Sequence, residues 1–301
     1  MIDYVFAGSD STASSVLEAL AKHSKPKLVI TREDAPFGRK RELRQTVVAD
    51  IADSLGVKTV KANDPALVIA DIKSSGAKRG IVVSYGAILK GEVLETLQWF
   101  NLHFSLLPKL RGAAPVQRAI LNDERPTGVS IFQIDAGMDS GPIYDQFEVD
   151  IVGLNTAQAL KKMAENSLGS LSRLLSETSP ILQKQSGDVT KAPKLTREEC
   201  ELDLNHTSEA LLRVVLAAYP EPVAWVMNNG HPLRILSART SGLSFPEEDQ
   251  PIGQVEKLAG KVYVSCGNHT RLELLQVQPF SKKPMPAIDW FNGVGEATLG
   301  N

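Results

Sequence analysis

Asn101 and His103 stand two residues apart in "FNLHFSLLPKLRGAAPVQRAI" (100–120), between apolar neighbours. A buried strand needs neither, so an amide and an imidazole two residues apart ask for a chemical reason. A second polar segment, "DAGMDSG" (135–141), follows a strand-like run and sets Asp135 and Asp139 among glycines. If Asp139 meets His103, the carboxylate orients the imidazole and favours its charged form. An amide and an imidazolium are donors suited to a developing oxyanion. That is equipment for acyl transfer through a tetrahedral intermediate. No serine or cysteine with its own base accompanies them, so attack by an external nucleophile is the simpler scheme. Taken singly, the residues leave other readings open: a histidine can close a strand end, and an aspartate between glycines can form a turn. His103 with these aspartates has no metal-ligand spacing, so no metal is expected. "AGSDSTA" (7–13) is not GxGxxG and gives no support to a dinucleotide site.

Positioning such groups falls to an alternating pattern that runs from residue 1 to about 182. Ile2–Ala7 reads as a buried strand, and "SSVLEALAKH" carries Val16, Leu17 and Leu20 at helical spacing. "KLVIT", the helix "RQTVVADIADSLG" stopped by Gly56, "KTVKA", "DPALVIADIKSSG", "RGIVVSYG", "FNLHFS", the helix near "GAAPVQRAI" and "TGVSIFQID" continue the series. This predicts an α/β domain with a mostly parallel sheet covered on both faces. Ligands of such sheets collect at the carboxyl ends of the strands. Tyr85-Gly86, Asn101–Pro108 and Asp135–Gly141 are all expected to emerge there. A long helix over 156–178 closes the domain. Residues 183–203, with Gly187, Pro193 and little periodicity, read as a linker or extended crossing segment. From 204 to 301, one helix ("SEALLRVVLAAY") precedes short alternating runs, with Asn229-Gly230 as a hairpin signal, which predicts a small β-barrel.

Composition narrows the function classes. The 301 residues carry a net charge of -2, so the whole molecule is no general polyanion binder. Any nucleic-acid contact must come from a local patch, such as Arg39, Lys40, Arg41 and Arg44 around Glu42. No apolar run approaches the ~18 residues of a membrane span. The start "MIDYVFAGSD" lacks the layout of a secretory signal. The two cysteines, Cys200 and Cys266, read as reduced structural thiols of a cytoplasmic protein.

"NLHFSLLPKLRGAAPVQRAI" together with "TGVSIFQIDAGMDSGPIY" resembles the folate-dependent formyltransferases. "TKAPKLTREE", "YPEPVAW" and "LLQVQPFSKKPM" are similar to the branch of that family acting on aminoacylated tRNA, and the likeness covers most of the chain. The resemblance implies a Rossmann-like formyltransferase domain over 1–182 and an OB-like, tRNA-contacting domain over 204–301. It implies transfer of formyl from 10-formyltetrahydrofolate, as co-substrate and without metal, to the α-amino group of methionyl initiator tRNA. Asn101 and His103 would polarise the formyl oxygen, and Asp139 would tune His103 and assist proton removal. Ser105, Leu106, Leu107 and Pro108 would line the folate pocket. Val83, Tyr85, Gly86, Ala87, Asp135 and Gly137 would offer backbone contacts to the pterin. Arg39, Lys40 and Arg41, with Lys191 and Lys194 from a basic segment that also holds Lys184 and Arg197, would meet tRNA phosphates. In one place the chain departs from the family: Ser9-Asp10-Ser11-Thr12 replaces a Thr-Pro-acid-Phe sequence. From residue 204 onward eight Lys/Arg face nine Asp/Glu, so no broad basic face is evident there. The alternatives are formylation of a glycinamide ribonucleotide or a nucleotide-linked amino sugar, hydrolysis of the formyl-folate, or a non-catalytic tRNA- or folate-binding protein. A monomer is the expected state.

Overall fold

The computed structural model describes residues 1–38, 41–241 and 251–300. These form two compact units. The first comprises Met1–Pro115, Pro126–Asp150 and Leu160–Ala192, and the second Val116–Arg125, Ile151–Ala159 and Pro193–Asn301.

The strands of the first unit are β1 (Tyr4–Gly8), β2 (Leu28–Thr31), β3 (Ala35–Phe37), β4 (Glu42–Arg44), β5 (Thr59–Lys61), β6 (Arg79–Val83), β7 (Gln98–His103), β8 (Gly128–Gln133) and β9 (Ile143–Glu148). Its helices are α1 (Ser11–Ala21), α2 (Val47–Leu55), α3 (Ile69–Ser74) and α4 (Glu92–Thr96). Two more, α5 (Pro115–Leu121) and α6 (Thr156–Leu174), belong in part to the second unit. Seven strands make one sheet in the order β5-β2-β1-β6-β7-β8-β9. The five strands from β5 to β7 are parallel, which accounts for their continuous apolar runs: β1, β2 and β6 are buried at every position. Helix ends follow the local chemistry. Asp10 caps α1 through Ala13 N at 2.9 Å, Thr46 caps α2, and Gly56 ends α2 at φ +67°.

The edge beyond β7 reverses. β8 runs antiparallel to β7, with Phe100 opposite Gln133 and His103 opposite Ser130. The 135–141 loop therefore leaves β8 beside the start of β7, not at the carboxyl edge where the other loops emerge. A single antiparallel strand corrects that expectation.

In the second unit, α7 (Ser208–Ala218) precedes β10 (Ala224–Asn228), β11 (His231–Thr240), β12 (Gln254–Leu258), β13 (Lys261–Ser265), β14 (Arg271–Gln278), β15 (Met285–Pro286), α8 (Ala287–Val294) and β16 (Ala297–Thr298). The antiparallel sheet β10-β11-β14-β13-β12-β16 curls into a half-barrel. A register shift near Ser237 adds local twist to β11. Asn229 (φ +50°) and Gly230 (φ +75°) turn the β10–β11 hairpin. Leu211, Val215, Val226, Leu233, Val264, Leu272 and Trp290 fill its core. Cys200 and Cys266 are buried and unpaired, and burial pushes their thiols up to about 11 and about 12. Among the described residues no helix is long and apolar enough to cross a membrane.

Candidate active site

β7 carries Asn101 and His103 on one face, as the two-residue spacing requires. Asn101 is half-buried, and no described residue forms a hydrogen bond with its side-chain amide. His103 is 5% exposed and packs edge-on against Phe132, with ring centroids 6.3 Å apart. Its Nε2 lies 3.0 Å from the Leu110 carbonyl. A carbonyl only accepts, so Nε2 bears the proton and donates. Nδ1 is the free edge of the neutral ring, 3.8 Å from Asp139 Oδ2.

The 135–141 loop returns to β7 through its own turn chemistry. Asp135 Oδ1 accepts from Gly137 N (3.0 Å) and Ser140 Oγ (2.7 Å), and Asp139 adopts φ +49°. Asp139 Oδ2 also accepts from Gly112 N at 2.8 Å. Burial lowers the His103 pKa below its ordinary value, against the raising pull of the Asp139 charge and then of the Leu110 hydrogen bond. The ring is thus neutral near pH 7. This corrects the expected imidazolium: the carboxylate acts in the direction foreseen, but desolvation outweighs it.

Gly112 has a specific reason to be glycine. At φ +129°, a Cβ there would stand 2.7 Å from the Ala192 carbonyl oxygen. Close approach of the crossing segment sets this residue. Gly112→Ala is expected to cost about 1–3 kcal/mol in stability. It should also slow the reaction by displacing the N–H that holds Asp139. Urea unfolding monitored by circular dichroism, beside a turnover assay, checks both.

The other anticipated residues are placed as follows. Ser105, Leu107 and Pro108 are buried, and Leu106 alone of that segment keeps exposed surface. Ser105 Oγ donates to Lys109 O at 2.6 Å, and Leu107 N donates to Ser130 Oγ at 3.0 Å. The segment therefore shapes its surroundings chiefly through its backbone. Val83 ends β6, and residues 84–87 leave at the carboxyl edge. The Tyr85 ring turns inward, its hydroxyl donating to Ala62 O at 2.8 Å, and burial raises its pKa to about 12. Asp135, Gly137 and Gly86 are exposed, and Ala87 half-exposed. Arg41, Lys191 and Lys194 are exposed, while Arg39 and Lys40 lie outside the described residues. The structure joins Asn101, His103 and Asp139 on and around β7.

Several supporting residues gave no sequence signal of the role they play. Ser9 Oγ donates to Tyr85 O (2.9 Å), and Arg32 Nη1 to Gly86 O (2.7 Å), so both hold the 83–87 turn. The divergent 9–12 stretch thereby has a local role, with Ser9 as a tie and Asp10 as a helix cap. Gln146 Nε2 donates to Leu107 O (2.9 Å) and Ser130 Oγ (2.8 Å), fixing the turn after His103. Gln185 and Thr190, in the segment read as a linker or crossing strand, bind the loops at Asp139 and Leu110. Isolated polar residues of common type mark nothing until the fold gives them partners.

The formyl transferase family matches residues 3–170, and the formyl transferase C-terminal domain matches residues 194–295. A methionyl-tRNA formyltransferase of Clavibacter sepedonicus is 38% identical over 300 residues, covering 96% of each chain. In structure, the chain is similar to a methionyl-tRNA formyltransferase of Clostridium thermocellum, with a TM-score of 0.60, 16% identity and coverage of 91% of this chain and 99% of that one. It is also similar to an N-formyltransferase of Helicobacter canadensis solved with folinic acid and dTDP-3-aminofucose, with a TM-score of 0.60, 20% identity and coverage of 93% and 100%. At these identities the two structures speak for the fold. With the family matched in both domains and a relative at 38% identity over nearly the whole length, the chain belongs to the methionyl-tRNA formyltransferase family.

Proposed function

We propose that this protein transfers the formyl group of 10-formyltetrahydrofolate to the α-amino group of methionyl initiator tRNA. The carrying observation is the strand face of β7, where the Asn101 amide, bonded by no described residue, stands beside a buried, neutral His103 backed by Asp139. An α-amino group has a pKa of ~7.7–8.0, so the nucleophile needs placement more than a strong base. The amine nitrogen attacks the formyl carbon, giving a tetrahedral oxyanion, and the bond from that carbon to the folate nitrogen then breaks. Asn101 donates to the oxyanion. His103 accepts the amine proton on Nδ1 and, as imidazolium favoured by Asp139, can donate it onward to the departing folate nitrogen. A catalytic domain over 1–182, a crossing segment over 183–203 and a tRNA-contacting domain over 204–301 fit this division of labour. The reading places the protein in the cytoplasm, where translation supplies the acceptor.

Exposed Arg41, Lys191 and Lys194 supply phosphate contacts. On the second unit, His231 and Phe280 stack with centroids 5.0 Å apart and planes 8° apart. Phe280 remains 57% exposed, so its other face is open to a base. Lys282, Lys283 and Arg234 are exposed on the same stretch of sheet and loop, Arg234 reaching Gln278 at 3.5 Å. Phe280→Ala is expected to weaken tRNA binding by about 1–3 kcal/mol at every salt concentration. Lys282→Ala with Lys283→Ala should instead flatten the dependence of log K on log salt, by ~0.9 for each duplex phosphate no longer neutralised. A salt titration of binding separates the two.

The function itself is tested by offering 10-formyltetrahydrofolate with charged initiator tRNA, elongator methionyl-tRNA, glycinamide ribonucleotide, a nucleotide-linked amino sugar or water. Formylation of the initiator tRNA is the expected result. Consumption of another acceptor, or salt-dependent tRNA binding with no transfer, would replace the proposal.

A further inference from the structure

The stretch over 183–192 is stitched to the loops that carry the candidate catalytic groups. Gln183 and Ile143 exchange backbone hydrogen bonds of 2.7 and 2.8 Å. Thr190 Oγ1 accepts from Leu110 N at 2.8 Å, and Leu110 supplies the carbonyl that orients His103. Arg111 N donates to Thr190 O at 2.9 Å, and Ala192 N to Arg111 O at 2.7 Å. At the centre lies Gln185, half-buried. Its Oε1 accepts from Arg111 Nη2 (2.6 Å) and Nε (3.2 Å). Its Nε2 donates to the carbonyls of Asp139 (2.8 Å) and Gly141 (2.9 Å). A primary amide has two donor hydrogens and two acceptor lone pairs. All four are engaged, and all on two loops flanking one carboxylate.

We propose that Gln185 is a positioning residue for formyl transfer, its amide fixing the backbone of Asp139 so that the carboxylate holds its place beside His103 Nδ1. This rests on the reading of Asn101, His103 and Asp139 as the catalytic set. The physical case is one of tolerances. Asp139 Oδ2 stands 3.8 Å from Nδ1, outside hydrogen-bond range. Its hold on the ring is therefore through space and varies with distance rather than being locked by a direct bond. The carboxylate itself is tied by the N–H of Gly112. The loop bears exposed Ala136, Gly137 and Met138 and has no core side chains to anchor it. Beyond the loop's own turn bonds, the Gln185 amide holds the backbone at Asp139 and Gly141 from outside by two donated bonds. A misplacement of about 1 Å in such a site can cost on the order of 100-fold in rate.

Two substitutions in the full-length chain separate positioning from simple anchoring. Gln185→Leu removes both donor and acceptor at nearly constant size. Gln185→Glu keeps the acceptor for Arg111 but sets an oxygen against the carbonyls of Asp139 and Gly141. Both are expected to lower kcat by about 10- to 100-fold with KM for either substrate within about twofold. In Gln185→Leu, the imidazole resonances of His103, followed by NMR with labelled histidine, should titrate at lower pH than in the parent, because the favourable carboxylate is less firmly held. Among the described residues Asp139 is the charged group that acts on that ring, so the direction is defined. Parental kcat in Gln185→Glu would overturn the proposal and leave Gln185 as a tether for Arg111. So would an unmoved His103 titration in Gln185→Leu, or a moved titration with unchanged kcat. If the parent transfers no formyl group to any acceptor, the catalytic reading fails. The NMR titration still reports, without turnover, whether Gln185 governs the pair.

Discussion

Asn101→Ala is expected to lower kcat by about 10²–10³-fold, equivalent to ~2.7–4 kcal/mol of transition-state stabilisation, while the thermal midpoint stays where it is. The two halves of that result have one cause. In the folded protein no described residue bonds the amide of Asn101, so removing it breaks no internal hydrogen bond and strands no partner. A structural asparagine would show the opposite pattern, with stability lost and rate hardly changed. The loss should fall on kcat more than KM, since a donor aimed at charge that develops only during reaction contributes little to ground-state binding. Asn101→Asp would be worse than alanine, because it sets a negative charge against the oxyanion. Near-parental turnover in Asn101→Ala would remove the residue from the mechanism.

His103→Ala should lose at least as much rate, and here stability falls too. The Leu110 carbonyl, which accepts from Nε2, is left without its donor in a buried setting, at a cost of about 1–3 kcal/mol. The pH profile identifies the working form of the ring. Burial lowers the His103 pKa, so the neutral ring persists to pH values below the ordinary ~6.5. If Nδ1 accepts the amine proton, kcat is lost as pH falls through that depressed value, because the ring is then already protonated. Asp139 raises the pKa, so Asp139→Asn should move the acid limb further down while reducing the maximal rate. A rate that instead climbs toward acid would show that the imidazolium is the active form. His103→Ala should abolish the limb, which separates it from any titration of the acceptor amine.

How much of this residue order alone carries differs from residue to residue. Asn101 and His103 were legible because an amide and an imidazole are out of place in an apolar strand, and period two then sets them on one face. The mostly parallel sheet was legible because strands covered on both faces need unbroken apolar runs, which "YVFAG" and "RGIVV" supply. The Asn229-Gly230 turn was legible because few residue pairs accept positive φ in succession.

The reversal at β8 was not legible. An apolar strand reads alike in either direction, and only pairing with β7 decides which end the Asp139 loop leaves from. The protonation of His103 was equally out of reach, since the balance of burial against one carboxylate depends on distances and on what excludes water. Gln185 is the plainest case. In a stretch of lysines, glycine and proline it carries no periodicity, and its significance comes from four partners brought near it by the folded chain. Residue order was thus enough for the element types, the family and the choice of candidate site residues, because those follow from local propensity and residue identity. Which groups meet, which nitrogen of His103 is free and what holds Asp139 beside it emerged only on folding, because those follow from contacts between residues distant in the chain.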